Sequence, residues 1–169
     1  ATQTEFGDIE IAGMDSPGPV AAVVIGDYGE HWTFEALNRA FRWLMQDPVP
    51  KLVALGMTRY WRAADGLRLD TAPFVAALEH ATGQAPVVLG KPAAPFFETA
   101  LDMLGVTATE AAMIGDDMRS DIGGAQASGI RGLLVRTGKF RPEDLTGDIQ
   151  PAAVLDSIAD LPAWWQDQD

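Results

Sequence analysis

The chain has 169 residues, 47% of them hydrophobic, which is enough to enclose one core or one core with a small insert. Its 12 Lys and Arg against 24 Asp and Glu give a formal charge of −12, which repels a polyphosphate backbone and argues against general nucleic-acid binding. Cysteine is absent and only His31 and His80 carry imidazoles, so thiolate zinc sites and cysteine nucleophiles are excluded and any metal must sit on oxygen. Apolar runs are broken every few residues by Gly, Pro or charge, and ATQTEFGDIE has neither a basic start nor an apolar segment. The reading is a cytoplasmic chain without a membrane segment.

Hydrophobic runs alternate with helical patterns, the signature of α/β architecture with a largely parallel sheet. Val20 to Ile25 reads as a first strand. Phe34, Leu37, Phe41, Leu44 and Met45 then recur at helical spacing, with Thr33 as cap and Pro48 and Pro50 as terminators. Leu52 to Leu55 is a second strand, and Tyr60 to Leu69 a hairpin turning at Asp65-Gly66. A helix from about Pro73 to Ala81, capped by Thr71, ends at Gly83. A composition change near Gly83 to Pro86 marks a boundary between two modules.

Beyond it, Val87 to Leu89 is a buried strand, and Gly90-Lys91-Pro92 opens a helix running through Leu104. Ala111 to Ile114 is the next strand, with Gly115 to Asp121 the loop after it and Ile122 to Ser128 a helix closed by Gly129. Strands at Gly132 to Val135 and Ala153 to Leu155 complete the pattern, and no internal repeat is present.

The chemistry concentrates in Gly115-Asp116-Asp117-Met118-Arg119-Ser120-Asp121, which follows an apolar strand. Ligands of open parallel sheets bind beyond the carboxyl ends of strands, where this loop places three carboxylates. Hard oxygen donors without His or Cys suit Mg²⁺, with Asp116 as direct ligand and Asp121 as a water-mediated or orienting partner. The plainer alternative is a helix cap made by Ser120 or Asp121. It leaves the repulsion between adjacent acids without a compensating cation. Lys91, one of three lysines, lies at another strand end, where its ammonium and a helix N-terminus would together hold an anion such as phosphate. The alternative there is an ordinary surface lysine.

VVLGKPAAPFF followed by AAMIGDDMRSDIGGAQASGIRGLLVRTGKF resembles the lysine motif and the acidic metal motif of the haloacid dehalogenase (HAD) superfamily of phosphohydrolases. YWRAADGLRLDTAPFVAALEHATG, ahead of the lysine motif, is similar to the cap of subfamily IIA, the NagD-like and phospholysine phosphohistidine pyrophosphatase-like proteins. The resemblance implies an α/β fold: a HAD-like Rossmannoid parallel core, of which the C-terminal half is present, plus an α/β C2-type cap. The cap with the segment leading into it would span 1–85 and the half-core 86–169. It further implies a Mg²⁺-dependent phosphatase acting through an aspartyl-phosphate, with Lys91 catalytic and phosphate-binding and Asp116 and Asp121 at the metal. Arg59, Tyr60 and Arg62 would bind a small phosphorylated substrate, although alternating aromatic and basic residues also suit a plain amphipathic hairpin.

The same resemblance requires a nucleophile in a D-x-D motif after a first core strand, and the only D-x-D here is Asp167-Gln168-Asp169. Asp27, after VVIG, falls in the cap by this alignment and is set aside as a substitute. The chain is therefore read as incomplete and inactive alone, with either a further N-terminal segment or a homo-oligomer covering the exposed half-core. The competing readings are a non-catalytic binding or oligomerisation module and a phosphoryl-receiver domain. The order of Lys91 before the acids disfavours the receiver.

Overall fold

The structure is a computed structural model describing residues 6–167. Strand β1 (Ala22–Ile25) pairs in parallel with β2 (Lys51–Ala54), and β2 with β5 (Val87–Val88), giving the sheet order β1-β2-β5. Alternation points Val23 and Ile25 inward from β1, and Leu52 and Ala54 from β2 are fully buried. Against this face pack helix α1 (Phe34–Leu44), through Ala40 and Leu44, and helix α2 (Thr71–Thr82), through Val75 and Leu78. Phe34, expected on the buried stripe of α1, is instead exposed at the first turn of the helix. Thr33 caps α1 as expected by accepting from Ala36 N at 3.1 Å. Helix α2 begins two residues earlier than expected because Asp70, rather than Thr71, caps it, accepting from Thr71 N at 2.6 Å. Trp32 stacks on Phe74 at 4.4 Å and closes one end of this core.

Strand β5 was expected to open the second module, but its hydrogen bonds to β2 keep it in the first sheet. The hairpin of β3 (Tyr60–Ala63) and β4 (Gly66–Leu69) is present, with its turn one residue earlier than expected. Ala63 pairs with Gly66, so Ala64 and Asp65 form the loop and Gly66, at φ 135°, starts the return strand. That assignment leaves the positive φ on glycine, where no Cβ opposes it.

After β5 comes helix α3 (Ala94–Leu104), ended by Gly105 in the left-handed conformation. The second sheet is parallel with order β6-β7-β8, formed by Ala112–Gly115, Arg131–Val135 and Ala153–Leu155. Leu133 and Leu134 of the central strand are fully buried, whereas all four residues of β6 are half-buried. Among the described residues β6 has β7 on one side and no strand on the other. The helix expected from Ile122 starts at Met118 as a π-type turn over Met118–Gly123, continued by α4 (Gly124–Ala127). A last helix, α5 (Leu161–Gln166), follows β8. Asp167-Gln168-Asp169 runs beyond the described residues. No described helix is long and apolar enough to cross a membrane.

Candidate active site

Strand β6 delivers Asp116 and Asp117 to the carboxyl end of the second sheet, and the π-type turn brings Asp121 back beneath them. The widened turn is visible in its hydrogen bonds: Ile122 N donates to Asp117 O, five residues back, at 3.2 Å. Asp117 makes the N-cap that the plainer alternative gave to Ser120 or Asp121, accepting from Arg119 N and Ser120 N at 3.0 Å each. Gly115 permits the fold-back, since a Cβ there would collide with the Asp121 carboxylate. Asp121 is buried, at 5% exposure. Its Oδ2 accepts from Asp117 N at 3.2 Å and its Oδ1 from Lys91 Nζ at 2.7 Å.

Lys91 reaches this point from the first sheet. It follows β5, and its carbonyl accepts from Met57 N at 2.8 Å, which fastens it to the segment after β2. Helix α3 starts at Ala94, not Pro92, with Ala93 as N-cap and Pro95 in its first turn, and Lys91 Nζ lies 5.8 Å from the ring centroid of Phe96 in that turn. The ammonium itself is held at a buried carboxylate.

Lys139, which is not among the residues singled out from the sequence, completes the charge arrangement. Its Nζ pairs with Asp117 Oδ2 at 2.6 Å, and its main-chain N–H donates to Asp116 Oδ2 at 2.7 Å. Burial opposes ionisation of Asp117, yet the hydrogen bond and charge of Lys139, with the Ser120 N–H, outweigh it and hold the carboxyl below its usual range. The repulsion between adjacent acids, expected to call for a metal, is thus offset at Asp117 by a lysine. One sequence signal pointed to it: Gly138-Lys139 follows the apolar run of β7, the same strand-end position that singled out Lys91. Gly138 has φ 60°, and a Cβ on it would strike Asp116 Oδ2.

These groups line one cleft of about 300 Å³. Lys91, Asp116, Asp117, Asp121 and Lys139 line it together with Thr58, Trp61, Arg62 and Asp70. Lys91 and Asp116 therefore share a rim although they come from different sheets. Of the three substrate-binding candidates, Arg62 lines the cleft, with its Nε donating to Gly138 O at 2.8 Å. Tyr60 carries Lys139 Nζ and Arg141 Cζ at 5.6 and 5.7 Å from its ring centroid. Arg59 is not among the lining residues and contributes its carbonyl to Asp70 N at 3.1 Å. Trp61, in β3, does line the cleft. Asp27 lies outside the lining too and accepts from Gly29 N at 2.9 Å.

Among the described residues no three carboxylates or imidazoles converge as a metal cage. The donor set would fit a Mg²⁺ that keeps most of its waters: Asp116, whose Oδ2 is engaged only by a main-chain N–H, would be the direct ligand, and Asp121, whose oxygens are taken by Lys91 Nζ and Asp117 N, a water-mediated or orienting partner.

Residues 88–161 match the HAD-hydrolase-like family model. Phospholysine phosphohistidine inorganic pyrophosphate phosphatase of Mus musculus is 44% identical over 159 residues, covering 94% of this chain and 57% of the relative. Among solved structures, p-nitrophenyl phosphatase from Archaeoglobus fulgidus matches with TM-score 0.72 and 30% identity, over 83% of this chain and 55% of its own. The 4-nitrophenylphosphatase from Thermotoga maritima matches with TM-score 0.77 and 26% identity, over 90% and 57%. The chain spans about half the length of the curated relatives it matches. Its motif order, its parallel α/β fold and these matches agree: the chain belongs to the HAD-like hydrolases.

Proposed function

We propose that this chain carries the phosphate- and Mg²⁺-binding part of a HAD-type phosphatase, and the cleft shared by Lys91 and Asp116 is the observation that carries the reading. Lys91 neutralises phosphoryl oxygens, oriented by its 2.7 Å bond to buried Asp121. Asp116 anchors the cation with Asp121 behind it; when bound, Mg²⁺ would polarise the phosphoryl group and offset its charge. Trp61 and Arg62 meet the leaving group. By the resemblance, a carboxylate oxygen attacks phosphorus as the bond to the leaving group breaks, and water then releases phosphate. The family places that carboxylate in a D-x-D motif after a core strand, and the sequence has D-x-D only at Asp167-Gln168-Asp169, so the chain alone is expected to bind without turning over.

The substrate is a small phosphorylated molecule, a phosphoric monoester or pyrophosphate, with the P–N bonds of phospholysine and phosphohistidine suggested by the relative's name. In this reading residues 1–85 are the cap with the segment leading into it and 86–169 the half-core, whose first strand, β5, is tied to the cap by its pairing with β2. A cytoplasmic setting goes with it, as does a homo-oligomer or a further N-terminal segment over the open side of β6, which native mass measurement distinguishes.

Calorimetric titration with MgCl₂ and then inorganic phosphate tests the site. Phosphate binding that weakens at least tenfold in Lys91→Met, roughly the loss of one charge-assisted contact, supports it. Phosphate affinity unchanged in that variant overturns it. A non-catalytic module with the same cleft is favoured by one observation, the lysines already neutralising Asp117 and Asp121. It gains if neither Mg²⁺ nor phosphate binds.

A further inference from the structure

The loop after β7 does more than line the cleft. Lys139 touches three things at once: its main-chain N–H holds Asp116, its ammonium holds Asp117, and the same ammonium donates to Tyr60 O of the hairpin at 3.0 Å. Its side chain is only 13% exposed, and the Tyr60 ring covers it. Beside it, Gly138 O accepts from Arg62 Nε at 2.8 Å, so the hairpin strand grips this loop at two points two residues apart. Between the hairpin and the acidic loop these contacts form a short path of charge-assisted hydrogen bonds, and Gly138 leaves no slack in it because a Cβ there would displace Asp116.

We infer that Lys139 is a positioning residue that latches the β3–β4 hairpin to Asp116 and Asp117, so that the order of the hairpin and the state of the acidic loop are coupled. An ammonium shared between a carboxylate and a carbonyl loses its fixed position when either acceptor is weakened. Loosening Asp117 therefore releases Tyr60, with which it has no direct hydrogen bond or ion pair. Conversely, a ligand that orders the acidic loop tightens the hairpin, because coupling between two sites is reciprocal. Only this ligand-dependent half rests on the proposed Mg²⁺ and phosphate site.

Hydrogen exchange on the whole chain tests both halves. In Lys139→Met the amides of 60–69 should exchange on the order of tenfold faster, the worth of one charge-assisted hydrogen bond, while β1 and β2 keep their protection and so report an intact fold. Lys139→Arg, which can serve both acceptors, should restore slow exchange. Asp117→Asn is the decisive second variant: a helix cap and nothing more would loosen 118–123 alone, whereas the latch requires 60–69 to loosen as well. Hairpin exchange unchanged in either Lys139→Met or Asp117→Asn overturns the inference. With MgCl₂ and inorganic phosphate added, exchange over 60–69 should slow in the native chain and not in Lys139→Met. Slowing of equal size in both breaks the coupling. No slowing anywhere in the native chain counts against the proposed site, and the ligand-free comparison still decides the latch.

Discussion

The two parallel sheets spend their apolar residues differently. Around β1-β2-β5 one continuous cluster joins strands and two helices, with Leu52, Ala54 and Val75 at 0% exposure. Around β6-β7-β8 burial is split into two small clusters, one centred on Phe97 and the other on Ile122 and Leu134, while β6 is half-buried along its length and Met103 and Leu104 of α3 are 85% and 70% exposed. Yet the open region holds the acidic loop and the closed one sends it Lys91. The proposed site lies in the more open region because a strand end that must meet ligand cannot also be roofed by side chains. The sharpest way to break this contrast is a pair of truncations. Leu52→Ala should cost about 2–5 kcal/mol, as a fully buried leucine does, and Met113→Ala in β6 under about 1.5 kcal/mol because its surroundings are already partly solvated. Denaturant midpoints measure both; equal losses would mean that the second sheet is as closely packed as the first.

The junction between the regions gives the next effects in size. Asp121→Ala leaves the Lys91 ammonium without its partner and the Asp117 N–H without an acceptor, at a cost of about 1–3 kcal/mol, less than for a deeply buried pair because Lys91 is 34% exposed. Asp121→Asn keeps an acceptor for that N–H and should lose less. Gly83 and Gly138 then separate strain from contact. Both have positive φ, at 71° and 60°, but a Cβ meets nothing within 4 Å at Gly83 and meets Asp116 at Gly138. Gly83→Ala should cost about 1 kcal/mol of backbone strain, and Gly138→Ala should exceed it, weakening Mg²⁺ binding as well. Thermal melts and calorimetry on the two variants check this, and equal losses with unaltered Mg²⁺ binding would show that Asp116 moves aside freely.

Much of this architecture is legible in the residues because it depends on local signals. The β-strands follow apolar runs bounded by Gly and Pro, Gly83 and Gly105 stop helices in the left-handed conformation, and Thr33 caps where a hydroxyl before an amphipathic stripe should. The strand-end positions of Asp116, Asp121 and Lys91 are legible too, and the structure brings the three to one cleft. What escapes is whatever requires partners distant along the chain. Asp117 and Lys139 lie 22 positions apart, and nothing near either predicts a 2.6 Å pair. The allegiance of β5 is likewise decided by its hydrogen bonds to β2, not by the composition shift just before it. The turn at Ala64-Asp65 escapes for another reason: Asp65-Gly66 is a strong turn pair, but with Gly66 absorbing the positive φ at the strand start, Ala64 and Asp65 need none.

That turn supplies the smallest effect, and one that separates the hairpin from both sheets. Asp65 accepts from Arg68 at 2.7 and 3.1 Å, and this hydrogen bond, ahead of a backbone one, lowers its carboxyl below the ordinary value; Arg68 also reaches Glu30 at 3.4 Å. Because the carboxyl titrates lower in the folded chain than in the unfolded one, the contribution is complete above the unfolded value, roughly 3.9, and disappears as pH falls through the folded midpoint. Both side chains are exposed, so salt should screen the effect and leave global stability nearly unmoved. Carboxyl titration by NMR should place Asp65 below an unpaired aspartate at low salt, and return it toward the ordinary value in Arg68→Ala. A midpoint indifferent to Arg68 would mean that the pair is a surface coincidence and that the hairpin is held by its grip on Gly138 and Lys139 alone.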